Sequence, residues 1–198
     1  MRVFISGPSG VGKSTIIAEI LKRNHDFVLS VSYTTRAPRP REIHGKDYFF
    51  VTRRDFEEML SRGEFLEWAR VHDNLYGTSE PWIRAREAEG KHILLDIDVQ
   101  GVRQAKQKGS AGVSIFILPP DIGELERRLA RRGTESTDAF RLRLENARHE
   151  LRSWPLYDYL VVNEDILKAV EDVQAIITAF RCSRAEMIGR VPWLTEIG

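Results

Sequence analysis

Apolar and polar positions follow two rhythms along this chain. Arg2–Ser6 (RVFIS) is a short apolar, β-branched run that reads as a buried strand, and a glycine-rich turn, Gly7–Gly12, follows it at once. Lys13–Asn24 places Ile16, Ile17, Ile20 and Leu21 on one side, which predicts a helix. Phe27–Val31, His92–Ile97 (HILLDI), Val113–Leu118 (VSIFIL, closed by Pro119 and Pro120) and Tyr159–Val162 (YLVV) read as further strands, the last three strongly apolar and buried. Between and after them, Gln100–Lys108, Asp121–Arg131, Ala139–Arg152 and Ile166 to about Arg184 read as helices, with a break at Gly133–Asp138. Near-continuous apolar strands alternating with helices predict a parallel sheet covered on both faces.

The stretch from Ser32 to about Glu89 leaves that rhythm. Pro38, Pro40, Gly45 and several arginines predict an irregular loop, followed by a strand at Asp47–Val51. Thr52 with Asp55 opens a helix to about Arg62. Phe65–Val71 reads as a strand, Asn74–Thr78 as a turn, and Ser79–Glu89 as a helix with Pro81 near its start, where proline is tolerated. Mixed strands and charged loops make this an inserted subdomain, placed to handle a substrate. The chain shows no internal repeats, low-complexity tracts or disordered linker.

Composition narrows the function classes. A chain of 198 residues suits one domain carrying small insertions. The 30 basic and 29 acidic residues leave a formal charge of +1, so no global field favours nucleic acid or an acidic membrane. Anion binding must come from local clusters of Arg and Lys. The single cysteine, Cys182, permits no intrachain disulfide and fits a reducing compartment. The N-terminal MRVFISGPSG is too short for a signal-peptide core, and no apolar run approaches the ~20 residues of a membrane span. A cytoplasmic protein is expected. His25, His44, His72, His92 and His149 show no metal-ligand spacing, and no Ser-His-Asp arrangement is arguable.

The first chemical signal is Gly7-Pro8-Ser9-Gly10-Val11-Gly12-Lys13-Ser14, which matches G-x-x-x-x-G-K-[ST] between a predicted strand and a predicted helix. Glycines let the backbone curl so that N–H groups point inward at phosphate oxygens, and the helix adds its positive end. Lys13 supplies a compact charge for the terminal phosphates, and Ser14 a hydroxyl for Mg²⁺. The motif alone indicates use of a nucleoside triphosphate and leaves kinase, hydrolase and switch open.

Further motifs decide among these. Ser30–Val51 reads SVSYTTRAPRPREIHGKDYFFV, Phe65–Ala69 FLEWA, Asn74–Thr78 NLYGT, Leu95–Gly101 LDIDVQG and Arg131–Ser136 RRGTES. With the phosphate loop, these make the chain resemble the guanylate kinase family from Arg2 to about Arg184. The resemblance implies an α/β P-loop kinase fold: a parallel sheet core flanked by helices, an inserted mixed α/β GMP-binding subdomain and a helical lid. It implies one domain over 1–185, with core 1–31, 90–126 and 154–185, GMP-binding part about 32–89 and lid about 127–153, then a tail, 186–198. The implied activity is transfer of the γ-phosphoryl group of ATP to GMP, giving ADP and GDP, with Mg²⁺, in purine nucleotide metabolism and GMP recycling. ATP and GMP are the implied partners, with no nucleic acid and no membrane.

The resemblance assigns ATP binding to Gly7, Pro8, Ser9, Gly10, Val11, Gly12, Lys13, Ser14 and Thr15. Arg36 and Arg39, on a proline-stiffened loop, with Tyr48 and Tyr76, match the residues that hold the GMP phosphate, a task suited to guanidinium forks. Arg41 stands where many relatives have glycine and takes no role. Glu67 matches the base-reading residue, with Ser32 and Thr78 as hydroxyl partners. One carboxylate can accept guanine N1–H and the 2-amino group together, whereas adenine would leave it unpaired. Asp96 and Asp98, two apart on a predicted strand, are expected on one face. Asp96 is assigned to the Mg²⁺ shell or to a polar network shared by both nucleotides, and Asp98 to the acceptor base. Arg128, Arg132 and Arg143 match lid arginines that, with Lys13, would neutralise the transferring phosphoryl group. Two rivals remain. A kinase of ribose bisphosphates would not need Ser32, Glu67 and Thr78. A non-catalytic interaction module of the same fold would lack a working phosphate loop.

Overall fold

In the computed structural model, which describes residues 1–131, 137–191, 193 and 196, the long apolar runs become one sheet and the inserted stretch another. In chain order the elements are β1 (Arg2–Ser6), α1 (Lys13–Arg23), β2 (Phe27–Leu29), β3 (Tyr33–Thr34), β4 (Phe49–Phe50), α2 (Arg53–Ser61), β5 (Phe65–Val71), β6 (Asn74–Ser79) and α3 (Glu80–Ala88). There follow β7 (His92–Asp96), α4 (Val99–Gln107), β8 (Val113–Leu118), α5 (Ile122–Arg131), α6 (Thr137–Leu151), β9 (Tyr159–Val162), α7 (Ile166–Arg181) and α8 (Arg184–Ile188).

The first sheet has the order β2-β7-β1-β8-β9, and every pairing in it is parallel. Strand alternation sends Val3 and Ile5 to one face and Phe4 to the other. Val3, Ile5, Ile115 and Ile117 pack with Ile16 and Ile20 of α1 and Val170, Val173 and Ile177 of α7. Phe4, Leu95 and Phe116 pack on the opposite face with Ile83 of α3 and Val102 of α4. Both faces are therefore covered, as the apolar runs require. At the edge, β9 buries Val161 but exposes Tyr159, Leu160 and Val162, so the expectation of a buried fourth strand is corrected to an edge strand.

The second sheet has the order β4-β3-β6-β5 and is mixed, β3 pairing parallel with β4 and antiparallel with β6. The expected turn at Asn74–Thr78 is instead strand β6, antiparallel to β5; the chain reverses at His72 and Asp73, between partners Val71 and Asn74. Gly77 suggested a turn, yet it is there for close approach: a Cβ would stand 2.8 Å from the Phe65 ring. The expected strands Phe27–Val31 and Asp47–Val51 shorten to Phe27–Leu29 and Phe49–Phe50, and the stretch read as an irregular loop contains β3.

Helix α2 begins with the expected capping box: Asp55 N–H donates to Thr52 Oγ at 3.1 Å and Thr52 N–H donates to Asp55 Oδ2 at 3.3 Å. Ser79 ends β6 and caps α3, accepting from Trp82 N–H. Helix α3 is tied to the start of the chain, where Arg2 ion-pairs with Glu80 at 2.9 Å and Glu87 at 2.8 Å. Helices α5 and α6 form a pair of their own around Leu125, Leu129 and Ala147. The expected break at Gly133–Asp138 falls mostly on residues outside those described. Among the described residues, no helix is long and apolar enough to cross a membrane.

Candidate active site

The glycine-rich loop lies between the end of β1 and the start of α1. Gly7, Gly10 and Gly12 take φ of 148°, 85° and 96°, a region that side chains resist. Space is as restrictive as torsion: a Cβ on Gly12 would stand 2.4 Å from the Asn163 amide, and one on Gly7 2.5 Å from the Ile117 carbonyl oxygen. Asn163, buried at the end of β9, donates its amide to the Val11 carbonyl at 2.7 Å. No side chain caps α1 and its first turn has no acidic residue, so its N–H groups face the cleft without a competing carboxylate. Lys13 Nζ donates to the Gly7 carbonyl at 2.8 Å and lies 4.0 Å from Asp96 Oδ1.

A cleft of about 390 Å³ is lined by Gly7 to Ser14, Asp96, Ile97, Asp98 and Glu150. A second, of about 170 Å³, is lined by residues that include Ser32, Tyr48, Glu67 and Tyr76, and again by Asp96, Ile97 and Asp98. The two clefts thus meet at one short segment. Asp96 ends β7, lines both clefts and has a side chain 43% exposed. Desolvation by the cleft walls still raises its pKa, against the pull of Lys13. Asp98 is not on the strand with it, which corrects the expectation of a shared face. It is the N-cap of α4 and accepts from Gly101 N–H at 2.8 Å. Asp98 nevertheless reaches both clefts, because the cap turns the chain across them.

Glu67 is 8% exposed and faces Thr78 across the β5–β6 ladder, where the Thr78 hydroxyl donates to Glu67 Oε1 at 2.5 Å. Burial pushes its pKa up to about 7, Thr78 opposes the rise, Asp98 adds to it and Lys108 offsets part of it. Gly101 abuts this carboxylate; a Cβ there would stand 3.1 Å from Glu67 Oε2.

Arg36, Tyr48 and Tyr76 come together. The Arg36 guanidinium lies 5.4 Å from the Tyr48 ring centre, and the two tyrosine rings are 6.0 Å apart. Glu42, which the sequence reading passed over, pairs with Arg36 at 2.9 Å and accepts the Arg39 backbone N–H at 2.7 Å. The Arg39 side chain is exposed. On the helical pair, Arg143 donates to Ser9 Oγ of the phosphate loop at 3.3 Å, while Arg128 is held by Glu124 at 2.8 Å on its own helix. Arg132 lies outside the described residues. Thr15 is exposed in the first turn of α1.

For a metal, the exposed Ser14 hydroxyl and the Asp96 carboxylate offer hard oxygen donors on the cleft that carries the phosphate loop. Among the described residues, no group of three or more His, Cys, Asp or Glu is arranged to hold an ion. The donor set fits Mg²⁺ bound chiefly through substrate phosphates and water.

Comparison with known proteins brings the decisive observation: the family model described as Guanylate kinase matches residues 1–180. The chain belongs to the guanylate kinase family. A guanylate kinase of Thermotoga maritima is 50% identical over 177 residues, covering 89% of this chain and 86% of the relative. One of Geobacter sulfurreducens is 46% identical, covering 94% of this chain and 92% of the relative. The crystal structure of guanylate kinase from Anaplasma phagocytophilum matches with a TM-score of 0.71 at 34% identity, over 94% of this chain and 88% of that one. Within this guanylate kinase fold, Asn163, Glu150, Glu42 and Gln104 line or brace the clefts without having been marked in the sequence. Their signal was adjacency alone: Asn163 directly follows an apolar strand, Glu42 lies among the arginines, and Gln104 follows Gly101 by one helical turn.

Proposed function

We propose that this chain moves the γ-phosphoryl group of ATP onto GMP, giving ADP and GDP, in the cytoplasm. Family membership supports the reaction class. The observation that carries the acceptor is Glu67: a buried carboxylate, oriented by Thr78, in a cleft that adjoins the phosphate loop through Asp96–Asp98.

In this reading the N–H groups of Gly7–Gly12 and of the start of α1 hold the donor phosphates, and Lys13 places its charge on the oxygens that gain it during transfer. Ser14 and Asp96 would hold Mg²⁺ arriving with ATP, which supplies positive charge to the phosphate chain when bound. Ionised Glu67 accepts guanine N1–H and the 2-amino group, Ser32 and Thr78 add hydroxyl contacts, and Asp98 bonds the base from the α4 cap. Arg36, Arg39, Tyr48 and Tyr76 bind the GMP phosphate, with Glu42 orienting Arg36 until that phosphate arrives. Arg128, Arg132 and Arg143 belong to a lid over 127–153 that closes on the donor, and 32–89 acts as the acceptor subdomain. The acceptor is already an anion, so no general base is needed. Alignment and neutralisation of two anions carry the rate.

The test is ADP formation from ATP and Mg²⁺ with GMP, AMP, CMP, UMP or a ribose phosphate as acceptor. Rapid turnover confined to GMP is the expected outcome. Turnover with a ribose phosphate instead would reassign the acceptor, and failure with every acceptor would leave a binding module.

A further inference from the structure

Strand β5, which carries Glu67, is the outer strand of its sheet: β6 flanks it on one side, and Gln104 of α4 bonds the Trp68 backbone. An edge strand has unpaired backbone groups that need partners. Helix α4 supplies them. Trp68 N–H donates to Gln104 Oε1 at 3.1 Å, and Gln104 Nε2 donates to the Trp68 carbonyl at 2.8 Å. A single side-chain amide thus stands in for the missing neighbour strand beside the base-reading position. One turn on, Lys108 Nζ donates to the Phe65 carbonyl at 2.7 Å, so the backbone is gripped on both sides of Glu67. One turn back, Gly101 leaves room for the carboxylate itself. These residues, three and four apart, share one face of α4.

The ladder to β6 does not fix Glu67 alone, because its register shifts between Phe65 and Glu67. A bulge leaves a strand free to re-aim a side chain unless something else holds it. We infer that Gln104 is a positioning residue for base selection, holding the Trp68 backbone so that Glu67 meets the guanine edge at a fixed height. The inference rests on Glu67 reading the base, as proposed above. It gives α4 two tasks: its Asp98 cap reaches both clefts, and its later turns set the depth of the acceptor cleft.

The experiment measures equilibrium binding of GMP, of inosine monophosphate (which lacks the 2-amino group) and of ATP. The proteins are the wild type, Glu67→Gln, Gln104→Met and the double variant. Methionine keeps the length and removes both hydrogen bonds. Gln104→Met is expected to weaken GMP by roughly tenfold and to shrink the preference for GMP over inosine monophosphate by a similar factor, with ATP binding kept within about twofold. In the Glu67→Gln background it should add no more than about twofold, since both changes act through one carboxylate. If Glu67→Gln collapses the preference while Gln104→Met leaves it intact, Gln104 has no positioning role. If Gln104→Met loses ATP binding in parallel, it holds the fold as a whole and the inference is overturned. If Glu67→Gln leaves the preference unchanged, the base-reading role fails, and the inference fails with it.

Discussion

The amide of Asn163 donates to the carbonyl of Val11 at 2.7 Å, from a side chain that is 4% exposed. This bond ties the tip of the last sheet strand to the middle of the phosphate loop, fixing a curl that glycine torsions permit but do not enforce. Asn163→Ala leaves a buried carbonyl unpaired, a loss of about 1–3 kcal/mol. The expected result is a KM for ATP raised roughly tenfold, with GMP affinity unchanged, read from initial rates with each substrate varied. An unaltered KM for ATP would show that the loop holds its shape without Asn163.

Lys13→Ala is expected to lower kcat by two or more orders of magnitude, roughly the loss from removing one charge contact made in the transition state. Single-turnover rates separate this from weakened binding. A variant with near-normal kcat would rule out a charge role for Lys13 in transfer.

If Glu67 reads the guanine base as proposed, GMP binding should depend on pH. Its pKa in the folded protein is raised to about 7, so below that pH it is mostly protonated and cannot accept two guanine donors. GMP affinity should fall about tenfold per unit as pH drops below this value, with uptake of GMP releasing a proton. ATP affinity should not follow the same curve. The sign for stability is set by the raised value: the folded state holds this proton more tightly than the unfolded chain. Stability from this group is therefore present at low pH and declines as pH rises toward 7. In Glu67→Gln both dependences should flatten; calorimetry in buffers of different ionisation heat checks the proton release.

Arg41 has φ of 78°, a left-handed conformation that costs a side-chain residue about 1 kcal/mol. Arg41→Gly should raise Tm by roughly 2–4 °C with turnover unchanged. A fall in Tm would mean that the arginine makes a compensating contact in solution.

Arg143 already touches Ser9, whereas Arg128 is paired with Glu124. Closure of the helical pair over bound ATP and GMP should release Arg128 toward the phosphates. Small-angle scattering should then show a smaller radius of gyration with both nucleotides than with neither. Equal radii would argue for a site assembled without motion.

Most of the core was legible because its strands are apolar runs with one possible fate. Phe65–Val71 and Val113–Leu118 have the bounds their residues suggest. The misses have physical causes. Gly77 and Asn74 look like turn residues, but Gly77 is small to admit the Phe65 ring, and that pairing is invisible without the fold. Alternation put Asp98 on the strand; its carboxylate caps α4 instead, since an Asp three residues before a glycine N–H is as good a cap as it is a strand residue. Tyr159–Val162 is as apolar as a central strand and lies at the edge. Gln104 and Asn163 could not be found by composition, because their work is to satisfy backbone groups of distant segments.

The segment Asp96–Asp98 is a party wall between the two clefts. A wall with a tenant on each side cannot be rebuilt for one of them. Any substitution there is felt in both clefts, so under the roles proposed above the donor and acceptor preferences cannot drift independently through these residues. Divergence toward a new acceptor would have to start farther off, on β5, β6 or the arginine loop, where a change is private to one cleft.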